Sequence, residues 1–180
     1  MHRSVKEYVY EFLHEVKCFE TDIIEVGSRN VNGTIKDYIK SLKPKSYIGV
    51  DMIPGRDVDV VASAENLTNI FGKEKFDIVI STEMLEHCSD WKKVINEMFL
   101  ICKNNGMILL TARGPGFKIH SYPCDYWRFT IEDMCRVFSE NNIINVKRDP
   151  MAPGVFIILK KTSSKIFTDF DAVSININKG

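Results

Sequence analysis

Two short apolar runs end in residues that could do chemistry together. Asp51 closes Tyr47-Ile48-Gly49-Val50-Asp51, and Gly27 closes Asp22-Ile23-Ile24-Glu25-Val26-Gly27 about 20 residues earlier. A carboxylate so placed accepts hydrogen bonds from both hydroxyls of a ribose, while the glycine lets the chain turn beneath the ligand. Taken alone, Asp51 is equally a helix-capping or surface aspartate; paired with Gly27 it points to a nucleoside. The run Gly27-Ser28-Arg29-Asn30-Val31-Asn32-Gly33 has arginine where a dinucleotide-binding loop needs its second glycine. That side chain crowds a pyrophosphate, although it can pair with phosphate itself. Glu25 repels pyrophosphate but suits an ammonium group, directly or through water. A nucleoside without phosphate fits better.

Two further groups carry titratable side chains. Glu86-His87 follows the run Phe76 to Ser81, and an imidazole there can act as a general base near neutral pH. The same pair also reads as the start of the next helix. The segment from Gly114 to Phe129 mixes titratable groups with rigid aromatics, as a substrate pocket does. His120 is its best acid/base candidate, with Tyr122, Asp125, Tyr126 and Arg128 beside the substrate. The bland alternative is a structural loop in which Arg128 pairs with Asp125 while Tyr126, Trp127 and Phe129 cover the core.

The elements that position these residues alternate. Val5, Tyr8, Val9, Phe12, Leu13 and Val16 share one face of a helix of about three turns. A strand at 22–26, a helix at 34–42 and a strand at 47–51 follow. Further strands are expected at 58–61, 76–81 and 107–111, with a helix at 91–102 stopped by Gly106. Short buried strands alternating with amphipathic helices predict crossover units and a parallel sheet covered on both faces. Thr130 then caps a helix running to about 139, with acidic residues in its first turn. Strands at 143–148 and 155–159 have no helix between them and must pair antiparallel. One domain over 1–161 is expected, with a polar, unassigned tail over 162–180. In an open parallel sheet, ligands bind outside the carboxyl ends of the strands, which makes Glu25 to Ser28, Asp51-Met52, Ala64 to Asn66 and Ser81 to Glu83 the residues to watch.

Ile24-Glu25-Val26-Gly27-Ser28, Tyr47-Ile48-Gly49-Val50-Asp51, Ala64-Glu65-Asn66-Leu67 and the stretch Phe76 to His87 resemble successive motifs of class I S-adenosylmethionine-dependent methyltransferases. Their order and spacing match over residues 20 to 160, and the similarity is to the broad type 11 group. The resemblance implies a doubly wound, mostly parallel seven-stranded α/β sheet with an antiparallel last strand, Rossmann-like in character. It further implies S-adenosyl-L-methionine as cofactor. Gly27 and Ser28 would shape the loop under its methionine portion, Glu25 would lie near the amino group, and Asp51 would hold the ribose. Met52 would flank the adenine, Ala64 and Glu65 would sit at its edge, and Ser81 would line the floor beside the sulfonium. Arg29 departs from the family's glycine-rich loop. For Met52 and Ala64, plain packing explains the residue as well as contact does.

Composition bounds the rest. The chain has 180 residues, and 24 Lys+Arg balance 24 Asp+Glu, so no excess of cations exists to release phosphate counterions and bulk nucleic-acid binding is not expected. A chain of this length buries roughly 70% of its unfolded surface and needs no staple. The 5 cysteines are odd in number and form no C-x-x-C pair, which argues against a disulfide framework or a Cys-rich zinc site. The opening residues lack the apolar core of a signal peptide, and no apolar run reaches membrane-spanning length. The expectation is a reduced, cytoplasmic protein without membrane association. Pro123-Cys124 is similar to the nucleophile dipeptide of cytosine-5 methyltransferases but lies after the wrong strand, and Ser81-Thr82-Glu83-Met84 lacks the aromatic motif of the adenine N6 enzymes.

The leading expectation is therefore methyl transfer to oxygen or nitrogen of a small-molecule acceptor, with no metal called for. The rivals are an NAD(P)-dependent oxidoreductase on a similar sheet, and a noncatalytic S-adenosylmethionine-binding module. The opening helix and the loop after the fifth strand must build the acceptor pocket, leaving the polar tail or the second subunit of a homodimer to complete it.

Overall fold

The computed structural model describes residues 1–120, 124–138, 140–162 and 175–176. Helix α1 (Arg3–Glu15) buries Val5, Tyr8, Val9, Phe12 and Leu13, the face its periodicity predicts. Strand β1 (Asp22–Val26) then leads through a glycine turn to α2 (Lys36–Ser41) and β2 (Ser46–Asp51). The second helix is shorter than expected because Thr34 Oγ1 accepts the Lys36 N–H at 3.0 Å and delays helical geometry. Strand β3 (Val60–Val61) is also shorter than expected. Asp59 leaves the ladder, its own N–H donating to Gly49 O and its carboxylate accepting the Gly49 N–H, both at 2.8 Å.

A 3-10 turn at Ala64–Asn66 runs into α3 (Leu67–Phe71), a five-residue helix too short for a periodic signal. Strand β4 (Phe76–Thr82) is followed by a second 3-10 turn, Leu85–His87. Helix α4 (Trp91–Ile101) starts where the Asp90 side chain accepts the Lys93 N–H at 3.0 Å. Strand β5 (Cys102–Arg113) follows at once and is far longer than expected. Gly106 lies inside it rather than stopping the helix: a Cβ there would stand 2.7 Å from Cys102 Sγ and 2.9 Å from Asp77 O.

The short strand β6 (Trp127–Arg128) pairs antiparallel with β9 (Ile175–Asn176), so two tail residues return to the body of the fold. Helix α5 (Ile131–Val137) has the predicted start, a capping box in which Thr130 Oγ1 accepts the Asp133 N–H and Asp133 accepts the Thr130 N–H. Strands β7 (Ile143–Arg148) and β8 (Gly154–Lys160) complete a seven-stranded sheet of order β3-β2-β1-β4-β5-β8-β7. The β1–β5 pairings are parallel, whereas β8 runs antiparallel to both neighbours. The expected fold class is thus the observed one.

Each face of the sheet carries its own core. Ile24, Val26, Val79, Ile108 and Leu110 pack under α4 and α5 residues such as Trp91, Met98, Phe99 and Met134. Ile23, Ile78, Ile80 and Leu109 pack under α1 and α2 residues such as Val9, Phe12 and Ile39. Strand alternation sends neighbouring residues to opposite faces, and helices cover both. Strand order reverses between β1 and β4, which places a crevice above their carboxyl ends. Among the described residues no helix is long and apolar enough to cross a membrane.

Candidate active site

A cavity of about 470 Å³ opens at those strand ends. Its inner wall is the turn after β1. Gly27 sits at φ +85°, a left-handed conformation that glycine adopts without penalty, and a Cβ there would meet Met84 Cγ at 2.9 Å. Ser28 is buried, with its Oγ lacking a hydrogen-bond partner among the described residues. Glu25, 2% exposed, reaches the cavity from inside the sheet and accepts the Tyr47 hydroxyl at 2.5 Å. Burial pushes its pKa up to about 8; the Tyr47 hydrogen bond and Lys36 pull it down, whereas Asp57 and Asp59 push with burial.

The outer rim comes from the next two strands. Asp51 accepts the backbone N–H of Ile53 at 2.9 Å and that of Arg29 at 3.2 Å, and it lines the cavity with Met52, Ala64 and Glu65. Met52 is 61% exposed, an apolar side chain held open at the rim. Glu65 faces Lys93 Nζ at 3.5 Å. Arg29 lies along the wall with its guanidine stem against Gly55.

Ser81 requires a correction. It is 1% exposed with Oγ 3.9 Å from Met84 Sδ, so it lies beneath Met84 and does not reach the cavity surface. Thr82, Glu83 and Met84 form that wall instead. Glu83 has φ +52° and pairs with Arg113, whose Nη1 also donates to the fully buried Asp149 at 3.1 Å.

The opposite end carries the imidazoles. His87 and His120 line the cavity with ring centroids 4.8 Å apart, and Tyr126 and Cys124 lie beside them. His87 Nδ1 contacts the Cys124 carbonyl, and burial lowers the pKa of the ring. His120 Nδ1 is 3.1 Å from Asp125 Oδ2 and 3.3 Å from Lys118 O. Behind them Glu86 is fully buried, and neither carboxylate oxygen makes a hydrogen bond of ordinary geometry among the described residues. Burial pushes its pKa up to about 8, with the Arg113 backbone N–H and Arg128 acting in the other direction.

Arg128 and Asp125 also need correction. Arg128 is 2% exposed and binds both oxygens of Asp125, along with the carbonyls of Phe117, Lys118 and Trp127. Asp125, 1% exposed, also accepts the His120 backbone N–H at 2.9 Å. Burial opposes its ionisation, but these partners hold its pKa below the usual carboxylate range. The pair clasps the loop and fixes His120; neither residue lines the cavity. Trp127 and Phe129 are structural too, with Trp127 Nε1 donating to Cys88 O at 2.9 Å and Phe129 packed on Trp91. Tyr122 lies outside the described residues.

Sequence reasoning placed Glu83 at a strand end without a role, and missed Met84, the Arg113–Asp149 pair and the isolation of Glu86. Position after β4 was a signal for Glu83 and Met84; for the others, burial decides the role and residue type does not reveal it.

Residues 29–110 match the family described as a methyltransferase domain. No curated protein matches the chain. Solved structures share the fold at low identity. A 1,6-didemethyltoxoflavin-N1-methyltransferase from Burkholderia thailandensis, with bound 1,6-didemethyltoxoflavin and S-adenosylhomocysteine, aligns at TM-score 0.69 and 13% identity over 88% of this chain and 78% of its own. A putative S-adenosylmethionine-dependent methyltransferase from Listeria monocytogenes aligns at TM-score 0.64 and 11% identity, covering 89% and 99%. Magnesium protoporphyrin IX methyltransferase from Synechocystis PCC 6803, with bound S-adenosylmethionine, gives 0.62 and 12%, covering 89% and 79%.

Proposed function

We propose that this chain is a class I S-adenosylmethionine-dependent methyltransferase of the type 11 group and transfers a methyl group to an oxygen or nitrogen of a small-molecule acceptor. The observation that carries the reading is the strand-end cavity, with bare Gly27, unpartnered Ser28 and buried Glu25 at one end and two imidazoles at the other. The cofactor fits these residues. Gly27, at φ +85° with Met84 packed against its Cα, shapes the turn beneath the cavity, and Ser28 Oγ offers a hydrogen bond that nothing in the described protein uses. Glu25 supplies a carboxylate for an ammonium, and Asp51 retains acceptor capacity for ribose hydroxyls beyond its two backbone partners. Met52, Ala64 and Glu65 offer the mixed surface on which a base can lie.

S-adenosylmethionine supplies a sulfonium-activated methyl group and leaves as S-adenosylhomocysteine. The protein's part is alignment and management of the acceptor's proton. His87 and His120 stand at the acceptor end, and Tyr126 walls it. Asp125 and Arg128 act by holding the His120 loop. The structural neighbours include a 1,6-didemethyltoxoflavin-N1-methyltransferase and a magnesium protoporphyrin IX methyltransferase, which favours a small-molecule acceptor here. The family match and an arginine at position 29, where a dinucleotide-binding loop needs its second glycine, disfavour a nicotinamide enzyme.

Isothermal titration tests the reading. S-adenosylhomocysteine should bind one per chain at micromolar concentration while NAD does not. Tight NAD binding without S-adenosylhomocysteine binding overturns it. Turnover in an acceptor screen separates the enzyme from a noncatalytic binding module.

A further inference from the structure

We propose that Glu86, His87 and His120 bind one divalent transition-metal ion at the acceptor end of the cavity, where its open coordination position takes an oxygen of the methyl acceptor. One ligand atom from each residue lies within 4.8 Å of the others. Around an ion with bonds of 2.0–2.1 Å at tetrahedral angles, ligand atoms stand roughly 3.3 Å apart, so an inward shift of ~1 Å closes the set. Asp125 holds the His120 backbone, and the His120 side chain, 42% exposed, supplies that shift by rotation about its own bonds.

Three independent features point to a cation. Glu86 is fully buried, its carboxylate makes no hydrogen bond of ordinary geometry among the described residues, and the backbone N–H groups of Glu86 and Arg113 offset its burial only in part, an arrangement that costs free energy unless something else satisfies it. Both imidazoles are set for ligation through Nε2. His87 turns Nδ1 to the Cys124 carbonyl, and His120 turns Nδ1 to Asp125 and the Lys118 carbonyl. A donated Nδ1–H fixes the tautomer and leaves the lone pair on Nε2, as metal-binding histidines generally require. The buried charges also leave a deficit. Asp125 is matched by Arg128, but Glu83 and Asp149 share the single guanidinium of Arg113, and Glu86 has none. Fully ionised, this group carries two excess negative charges, which a dication neutralises.

Two imidazoles and one carboxylate favour zinc, cobalt, iron or manganese over calcium or magnesium, which prefer all-oxygen sets. Three protein ligands leave a position for substrate. The inference rests on the methyltransferase reading and narrows its acceptor to a hydroxyl or phenol. The ion lowers the pKa of that group, so the O–H bond breaks and the proton passes to water. The oxygen lone pair then forms the O–CH₃ bond as the C–S bond breaks, and the C–S electron pair stays on sulfur. On this account the imidazoles act through the ion and do not accept the proton themselves.

The test uses Co²⁺ as a spectroscopic probe on full-length protein freed of metal with a chelator. One Co²⁺ should bind per chain at micromolar concentration, give visible absorption bands, and be displaced by Zn²⁺. Glu86→Gln and His120→Ala should each weaken binding by about 100-fold. Circular dichroism should stay unchanged, and S-adenosylhomocysteine affinity should stay within about threefold in both variants. Binding only at millimolar Co²⁺, or binding unaltered in both variants, overturns the site. So does Co²⁺ binding abolished by Cys124→Ser yet kept by His120→Ala, which assigns the ion to the thiol. Failure of wild-type protein to bind S-adenosylhomocysteine is a separate result and overturns the methyltransferase reading instead.

Discussion

Asp51 does two things at once. Its oxygens hold the backbone of Arg29 and Ile53, tying the turn after β1 to the turn after β2, and their free lone pairs face the cavity. Asp51→Ala should therefore weaken S-adenosylmethionine binding by about 1.5–3 kcal/mol, the range for hydrogen bonds to a charged acceptor. Titration calorimetry on the folded variant should read a loss of tenfold or more; unchanged affinity would put the ribose elsewhere. Gly27→Ala should be at least as damaging, since it combines a φ of +85° with a Cβ 2.9 Å from Met84. The placement of both residues at the cavity was legible in the sequence because a parallel sheet fixes its ligand edge at the strand ends. Ser81 and Arg128 were not. One residue of register decides whether a strand-end serine meets the cavity or the methionine above it. An arginine beside aromatics serves substrate or scaffold according to whether an aspartate three positions away reaches it, and here Asp125 does.

The loop between β5 and α5 is the element assigned by our proposal to the acceptor, and its shape rests on the Asp125–Arg128 clasp. Arg128→Met removes the cation from an aspartate that is 1% exposed. Breaking a buried pair this way costs about 3–5 kcal/mol, more than replacing both members would. Urea denaturation should show that loss, and the double variant Asp125→Leu/Arg128→Met should recover part of it. A cost below about 1 kcal/mol would mean that the loop holds without the clasp. In Asp125→Asn, whose shape is conserved, acceptor KM and kcat should change while S-adenosylhomocysteine affinity does not, because Asp125 orients His120 and lies away from the strand-end turns. Elements with local determinants were legible: the Thr130 capping box, the apolar face of α1, and the two helix-free last strands. Those set by distant contacts were not. Gly106 looks like a helix stop until Cys102 and Asp77 O are seen crowding its Cα, and β6 exists only because residues 175–176 pair with it.

At the scale of the whole molecule, an acidic group inside the central sheet couples folding, pH and ligand. Glu25 has a folded pKa of about 8 against an ordinary 4.5, chiefly because burial disfavours its charge, with Tyr47, Lys36, Asp57 and Asp59 as the groups facing it. The unfolded chain thus ionises first as pH rises. The protonated form's stability is fully present below pH 4.5 and is lost progressively up to about pH 8, an effect on the order of 4 kcal/mol. Asp22, Asp59 and Asp125 are shifted down and lose stability only in more acidic solution, so they do not mask this window. Glu86 adds a slope of the same sign in metal-free protein, and comparing wild type with Glu25→Gln cancels it. Thermal unfolding of the ligand-free variant should therefore show a flatter decline from pH 5 to 8 than wild type. An ammonium placed at Glu25 reverses the preference by favouring the carboxylate. Cofactor binding must then expel a proton, and wild-type affinity should rise with pH by up to about tenfold per unit in this window. Glu25→Gln should bind more weakly at pH 8 and lose the part of that slope due to Glu25. Identical slopes in wild type and variant would show that Glu25 does not face the amino group, even if the cofactor binds.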